Sequence, residues 1–326
     1  MSAPAPEQND RPARFTFLGV TPRVDPAAAP RGFAFLGAPY VTPYPPGADP
    51  PFATEVTPGA PGSSVSAPGA VRTAASVYLT ELDHYDFDVG GALVEPGAPL
   101  PLVDCGDVSC PAGDPAGGSA AITAAVRAAV SAGAVPLVVG GDHAVPFFVV
   151  RGLDDGLPVH VLQIDAHLDF RDEVGGVRDG YSSPMRRLRE LDRVETIVQV
   201  GLRDIGSARP QEVAAAQAAG NVLVRAEEVH ESGVDRIPGL FPEGGRLYIT
   251  IDVDGLDPSC APGVLWPAPG GLLFWQAARL VRTLATRCRL VGMDVCELVP
   301  ARDPQGLTAL AVARLLMIAV GASLRR

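Results

Sequence analysis

The chain has 326 residues, 47% of them hydrophobic, and a formal net charge of −11 at pH 7. At this length one large α/β domain remains reasonable, and the acidic balance argues against nucleic acid and anionic membranes as partners. The five cysteines form no CxxC pair, which indicates reduced thiols and a cytoplasmic protein.

The N-terminal part of the chain has the composition of an irregular segment. Residues 1–30 are rich in Pro and Ala, which predicts a flexible arm, and we place a single domain at residues 31–326. The apolar run GFAFLGAPY (32–40) predicts a first strand. A long loop rich in Pro, Gly and Ser should follow it as far as residue 75.

From residue 119 onwards, apolar strands and helices alternate. The segment 119–133 predicts a helix with Ser119 as its N-cap and Gly133 at its end. Further helices are predicted at 211–220 and 272–288, and strands at 135–139, 159–165, 196–202, 221–224, 246–254 and 289–295. This order predicts a mainly parallel sheet covered on both faces, with its chemistry beyond the carboxyl ends of the strands.

The last apolar segment, residues 306–324, is long enough to raise the question of a membrane span. Arg314 interrupts it, and no other segment of the sequence has this character. We therefore predict a buried helix of an α/β domain and no membrane partner.

Four polar motifs fall at the ends of predicted strands. Each places carboxylates or imidazoles at the edge where a parallel sheet carries its chemistry. The motifs are GGDH (Asp142 and His143), DAHLD (Asp165, His167 and Asp169), DVDGLDP (Asp252, Asp254 and Asp257) and DVCE (Asp294 and Glu297).

The spacing within these motifs indicates a metal site. Side chains two residues apart on an extended backbone share one face, which applies to the polar residues of DAHLD and to Asp252 and Asp254. Four crowded aspartates repel one another unless cations lie between them, and two divalent ions would balance their charge. With the imidazoles of His143 and His167, the donors are oxygen and nitrogen, which suits manganese rather than thiolate-binding metals.

Each motif alone has an ordinary structural explanation. A solitary DxD is usually a solvated turn or a cap, and a histidine after two glycines is often hydrogen-bonded in a core. The combination, in this order and each at a strand end, favours the metal site. His84, His160 and His230 stand outside the motifs. We expect His160 to pack in or at the edge of the sheet and the other two to lie on the surface.

The motifs resemble those of the ureohydrolase family, which comprises the arginases and agmatinases. The family pattern stands here as GGDHAVPF, DAHLDF, DVDGLDPSCAPG and MDVCELVP, and the segments YDFDVGG and PGSSVSAPGAVR resemble the agmatinase branch. The resemblance covers about residues 33–325. It implies a three-layer α/β/α sandwich with an arginase-like fold that assembles as a homotrimer or homohexamer.

The resemblance also implies two manganese ions per chain, with nickel or another divalent ion as alternatives. Asp165 and Asp252 would bridge the two ions. The implied ligands are His143, Asp165, Asp169 and Asp252 for one ion and Asp165, His167, Asp252 and Asp254 for the other.

By the same resemblance, the reaction is the hydrolysis of a guanidino compound to urea and an amine. A hydroxide shared by the two ions would attack the guanidinium carbon. Glu297 would pair with the guanidinium, and Asp169 would carry the proton to the departing amine. The candidate substrates are agmatine, a guanidino acid and guanidine itself.

One position departs from the agmatinase pattern. A histidine usually follows DAHxD, shortly before a small residue and Pro, whereas this chain has Tyr181 in DGYSSPMRR. A phenol titrates near pH 10, so we expect Tyr181 to bind substrate by a hydrogen bond, or only to pack the loop, rather than to shuttle protons. The departure leaves open a non-catalytic metal-binding subunit that supports an active paralogue. Related folds with Asp–His sites also leave open a one-metal amide deacetylase.

Overall fold

The computed structural model describes residues 16–22, 25–45, 62–206 and 208–326. The strands in these residues are β1 (Gly32–Ala38), β2 (Tyr85–Asp86), β3 (Gly91–Ala92), β4 (Leu102–Asp107), β5 (Ala134–Gly140), β6 (Val159–Ile164), β7 (Val194–Leu202), β8 (Val222–Arg225), β9 (Arg246–Asp252) and β10 (Arg289–Cys296).

Eight of these strands form one central sheet. Their order is β4-β1-β5-β10-β9-β6-β7-β8, and every neighbouring pair is parallel. The other two strands, β2 and β3, form a short antiparallel hairpin. The predicted mainly parallel sheet is confirmed. Its order places β10 between β5 and β9, so strands that are distant in sequence lie side by side at the centre.

Helices cover both faces of this sheet. They are α1 (Ala67–Ala75), α2 (Pro115–Ser131), α3 (Val145–Gly152), α4 (Pro184–Arg189), α5 (Pro210–Ala218), α6 (Ala226–Ser232), α7 (Phe274–Arg287) and α8 (Leu307–Leu324).

The apolar core is divided by the sheet into two layers. In β6, Val161 faces the layer that contains Phe148 of α3, whereas Leu162 faces the layer that contains Leu280 of α7 and Leu315 of α8. Successive strand residues point to opposite faces, so a strand covered on both sides is apolar at most positions. The three-layer α/β/α sandwich is confirmed.

The first predicted helix begins earlier than expected. Asp114, not Ser119, is the N-cap of α2, and its carboxylate accepts the backbone N–H of Gly117 at 2.8 Å. Ser119 lies inside the helix, so its assignment as the cap was wrong. Gly133 follows the helix with a φ of 90°, which confirms the predicted end.

Part of the predicted loop before residue 75 is helical. Arg72, in the middle of α1, is fully buried and binds Asp104 at 2.7 Å and Asp107 at 2.6 Å. The predicted N-terminal arm also has an ordered part, because Phe17 is buried and stacks on Phe35 with ring centroids 4.6 Å apart. Residues 1–15 and 23–24 of that arm lie outside the described residues.

The C-terminal helix α8 is apolar enough, by length and composition, to cross a membrane. However, 72% of its most apolar stretch is buried inside the protein. Arg314, which interrupts the apolar run, binds Asp86 at 2.8 Å and Asp88 at 2.7 Å. The helix therefore packs as a core helix of the sandwich, as the sequence predicts.

Candidate metal centre at the carboxyl edge of the sheet

Four neighbouring strands at the centre of the sheet bring the polar motifs together. β5, β10, β9 and β6 lie side by side, and one motif falls at the carboxyl end of each. Parallel strands end at the same edge, so His143 and Glu297 meet there although 154 residues separate them in sequence.

Potential ligand atoms form two groups at this edge. Within each group the atoms lie within 4.8 Å of one another; the groups are His143, Asp165 and Asp252, and Asp165, His167 and Asp254. Asp165 belongs to both groups, which is the position that a bridging ligand needs. Asp169 adjoins the first group, because its Oδ2 is 2.7 Å from His143 Nδ1. All six predicted ligands therefore lie in one cluster.

Hydrogen bonds behind His143 set the orientation of its ring. Thr250 donates its hydroxyl to Asp294 Oδ1 at 2.9 Å, so Thr250 Oγ1 is left to accept from His143 Nε2 at 3.0 Å. Nε2 therefore carries a proton, and Nδ1, 3.1 Å from Asp165 Oδ2, is the ring nitrogen that is available to a cation. Tyr248 also donates to Asp294. Asp294 thus supports the site from behind.

The second group is built around His167. Its Nδ1 lies 3.0 Å from Asp254 Oδ2 and 3.6 Å from Asp165 Oδ1. Backbone N–H groups orient both carboxylates: Ala166 donates to Asp254 at 3.1 Å, and His167 donates to Asp165 at 2.5 Å. The two oxygens of Asp165 therefore face different groups, with Oδ2 toward His143 and Oδ1 toward His167.

The cluster concentrates negative charge in the protein interior. Burial, followed by the charges of Asp169 and Asp254, raises the pKa of Asp165 to about 8. Burial also raises the pKa of Asp252 well above its usual value. Burial opposes the charging of His167, yet the charges of Asp254 and Asp165 raise its pKa to about 10. The cluster therefore offers oxygen and nitrogen ligand atoms and an excess of negative charge, which suits divalent cations. Such cations would displace the protons that these groups hold in the metal-free protein.

The metal-free protein is expected to lose stability as the pH rises. The folded-state pKa values of Asp165 (about 8), Asp294 (about 7) and His167 (about 10) exceed those of the unfolded chain, so the folded state binds more protons. This stabilisation is complete below the unfolded values and is lost as the pH passes through the folded ones. Thermal melts of chelator-treated protein at roughly pH 5 and roughly pH 8 measure the effect. A metal-free Tm that increases between them would contradict the assignment.

Glu297 and Asp169 both adopt left-handed backbone conformations, with φ of 67° and 49°. Such conformations are uncommon in residues other than glycine and concentrate at functional sites. Glu297 Oε1 accepts the backbone N–H of His143 at 2.9 Å, and the backbone N–H of Glu297 donates to Gly141 at 2.9 Å. Burial, followed by the charge of Asp142, raises the pKa of Glu297 to about 8. Its carboxyl group is thus held beside the cluster.

A segment that the sequence did not single out also reaches this edge, directly after β1. The ring of Tyr44 packs against Tyr181, with centroids 4.7 Å apart. Thr42 Oγ1 accepts the backbone N–H of Tyr181 at 3.2 Å, and the backbone N–H of Thr42 donates to Asp142. Burial, with smaller contributions from Asp142 and Asp169, raises the pKa of Tyr44 to about 12. The strand-end rule that identified the motifs, applied to APYVTPY, could have found this segment.

Some residues of the motifs and some histidines lie outside the two groups. Asp257 accepts backbone N–H groups of its own turn and the adjoining loop. His160 is buried with its Nδ1 3.1 Å from Thr196 Oγ1, and His84 and His230 are exposed, as predicted.

Comparisons with known proteins agree with this geometry. The arginase family model matches residues 48–321. Over 198 residues the chain is 38% identical to guanidinopropionase from Pseudomonas aeruginosa, an alignment that covers 57% of this chain and 60% of that protein. It is also 33% identical to agmatinase from Chromobacterium violaceum over 255 residues, and this alignment covers 76% of this chain and 74% of that protein.

A solved structure extends the similarity to nearly the whole chain. Proclavaminate amidinohydrolase from Streptomyces clavuligerus matches with a TM-score of 0.77 at 26% identity, covering 95% of this chain and 97% of that one. The family match, which spans most of the chain, and the agmatinase alignment lead to one conclusion: this chain belongs to the arginase family.

Proposed function

We propose that this protein is a metal-dependent amidinohydrolase that converts a guanidino compound to urea and an amine. The observation that carries the proposal is Asp165, whose two oxygens face two groups of nitrogen and oxygen ligands beside Glu297. The relatives, by name an agmatinase, a guanidinopropionase and a proclavaminate amidinohydrolase, support hydrolysis at a guanidino carbon.

The donor set supports two divalent cations, and we propose manganese, with nickel or another divalent ion as alternatives. When bound, such ions would supply the nucleophile by lowering the pKa of a water from 15.7 toward roughly 7. The residues proposed to hold them are His143, Asp165, Asp169 and Asp252 for one and Asp165, His167, Asp252 and Asp254 for the other.

Two carboxylates perform the remaining steps in this proposal. Glu297 binds the planar guanidinium, because a carboxylate matches its paired N–H groups in a fork geometry. Asp169, 2.7 Å from His143, accepts the proton that the attack releases and delivers it to the departing amine nitrogen. Both residues hold their side chains at the site on strained backbone, which supports a role beyond packing.

Tyr181 is proposed to position the substrate rather than to carry protons. Tyr181→Phe is therefore expected to lower kcat/KM by about two- to tenfold, the value of one neutral hydrogen bond. The shape of the pH–rate profile should not change, because the Tyr181 hydroxyl is proposed to bind substrate and not to carry protons. Tyr85→Phe is the control, since Tyr85 is exposed on the β2–β3 hairpin. Complete inactivity of Tyr181→Phe with its metals intact would make Tyr181 a chemical participant, and no change on any substrate would favour packing against Tyr44.

A screen for urea release tests the proposed function. The purified chain is loaded with manganese, and separately with nickel, and assayed with agmatine, guanidino acids of different length and guanidine. Urea from at least one of them is expected. Two bound ions without urea would favour a metal-binding subunit that supports an active paralogue. One essential ion with acetate release from an acetylated amine would favour the deacetylase.

We also propose a cytoplasmic location and a homo-oligomeric assembly. Five free cysteines support a reducing, cytoplasmic environment. The proposed homotrimer or homohexamer is tested by sedimentation of the purified protein.

A further inference from the structure

A continuous row of buried polar side chains runs sideways through the sheet from the cluster. Gln163 lies on β6 and Gln199 on β7, in register with each other. Asn221 immediately precedes β8, and Arg189 ends α4. Both glutamines are fully buried and Asn221 is 7% exposed. Apolar side chains would fill such positions without any need for hydrogen-bond partners, so the row requires an explanation.

Every hydrogen bond in this row points toward Asp165. Gln163 donates to Asp165 Oδ2 at 2.5 Å, and Gln199 donates to Gln163 Oε1 at 2.6 Å. Asn221 donates to Gln199 Oε1 at 2.8 Å, and Arg189 Nη2 donates to Asn221 Oδ1 at 2.9 Å. We call these four residues, Gln163, Gln199, Asn221 and Arg189, the amide row.

The chemistry at the two ends fixes this direction. A guanidinium can only donate, so Asn221 must turn its amide oxygen toward Arg189 and its nitrogen toward Gln199. With a cation bound, the Asp165 carboxylate is ionised and can only accept, so Gln163 must turn its nitrogen toward Asp165. Gln199 meets both requirements and also donates to the Leu168 carbonyl at 2.7 Å. Turning any one amide over would set donor against donor and acceptor against acceptor in a buried site.

Arg189 is anchored independently of the amides. Its Nη1 donates to the backbone carbonyls of Val194 at 3.2 Å and Glu195 at 3.3 Å, while Nε and Nη2 both bind Asn221. The donor end of the amide row is therefore fixed to the start of β7, and the position of each amide follows from it.

We propose that the amide row is a positioning device that holds the Asp165 carboxylate in the rotation where Oδ2 serves the His143 group and Oδ1 serves the His167 group. The proposal rests on the proposed function of the cluster as a metal site. None of the four residues belongs to either ligand group, and they act through Asp165. Gln163 donates to Oδ2 and the backbone N–H of His167 donates to Oδ1, so loss of Gln163 removes one of these two restraints on rotation of the carboxylate about its last torsion.

Metal affinity and thermal stability distinguish this role from simple packing. Gln163→Met is expected to weaken Mn2+ binding about ten- to a hundredfold, because a hydrogen bond to a charged group is lost. Arg189→Met, at the far end, should weaken it about two- to fivefold, the value of a weaker indirect bond, and Arg189→Lys should recover part of the loss. Binding is measured by competition with a fluorescent chelator, and Tm is measured on the metal-free variants.

Arg193→Met is the matched control. Arg193 is also half-buried near the start of β7 and donates to the Val150 carbonyl, outside the amide row. It should lower Tm as Arg189→Met does while leaving Mn2+ affinity unchanged. Equal affinities of the Arg189→Met and Arg193→Met variants would overturn the proposal.

Crystal structures of the metal-free wild type and Arg189→Met provide a readout that does not need metal. The variant should show Asp165 rotated and at least one amide of the row turned over. An unchanged Asp165 would overturn the proposal. If the wild type binds no divalent cation, the proposed function fails, whereas the orientation of Asp165 still decides whether the amide row positions it.

Discussion

Replacing Asp165 with Asn is expected to remove both metal ions and nearly all activity. Asp165 belongs to both ligand groups, and Asn offers one weak oxygen in place of two charged ones. Without the ions the nucleophile would be ordinary water, whose pKa is about 9 units higher, so kcat/KM should fall by more than about a thousandfold. Elemental analysis of the purified variant and a urea assay measure the two effects.

Asp252→Asn and Asp257→Asn complete this experiment. Asp252→Asn should also lose both ions, since Asp252 is proposed to bridge them. Asp252 contributes a ligand atom to the His143 group. Asp257 comes from the same motif but binds backbone N–H groups of its own turn and the adjoining loop, so Asp257→Asn should keep both ions. A full complement of metal in Asp165→Asn would refute the bridging assignment.

Glu297→Gln is expected to keep its metals and lose most of its activity. Gln retains the oxygen that accepts the backbone N–H of His143, so the local structure should persist. The change removes the negative charge that faces a cationic guanidinium. Breaking a buried charge pair costs about 3–5 kcal/mol, which corresponds to a fall in kcat/KM of roughly two to three and a half orders of magnitude.

The matched control for this variant is Glu227→Gln, on an exposed glutamate in α6. It should leave kcat/KM and metal content unchanged, since its ion pair with Arg225 is exposed and contributes little. A loss of less than about fivefold for Glu297→Gln, about 1 kcal/mol, on the best substrate would contradict the role of Glu297 in binding the guanidinium.

The parts of the site that the sequence predicted share a physical origin. A strand of a parallel sheet is apolar until its carboxyl end, so a polar residue placed there is conspicuous. Asp165 and His167 follow VHVLQI in this way, and Asp252 and Asp254 follow RLYITI. The same contrast predicted the sheet and its two covering layers. The ligand cluster is therefore the part of the site that the sequence predicts best.

The parts that were not predicted depend on contacts between distant segments. Helix α1 contains Gly69 and lies in a segment rich in Pro, Gly and Ser, and its buried Arg72 is held by carboxylates from β4. Thr42 and Tyr44 reach the site only because Asp142 and the Tyr181 loop bind that segment.

The amide row illustrates the same limit. Within VHVLQID and TIVQVGL, a single polar residue among apolar ones predicts nothing about its partner, because partnership follows from the register of two strands. The assignment of Ser119 as the cap failed for a local reason, since Asp114 with Pro115 provides a better helix start five residues earlier.

The position of β10 between β5 and β9 has a consequence for how the chain folds during synthesis. The strand at the centre of the sheet is the last of the ten to leave the ribosome, so β5 has no completed neighbour on that side until residue 296 is available. Long-range pairing of this kind is slow, and it leaves strand edges exposed while translation continues. A nascent chain that stops before β10 therefore lacks Glu297 and a continuous sheet, so it should depend on chaperones until the final strand is inserted.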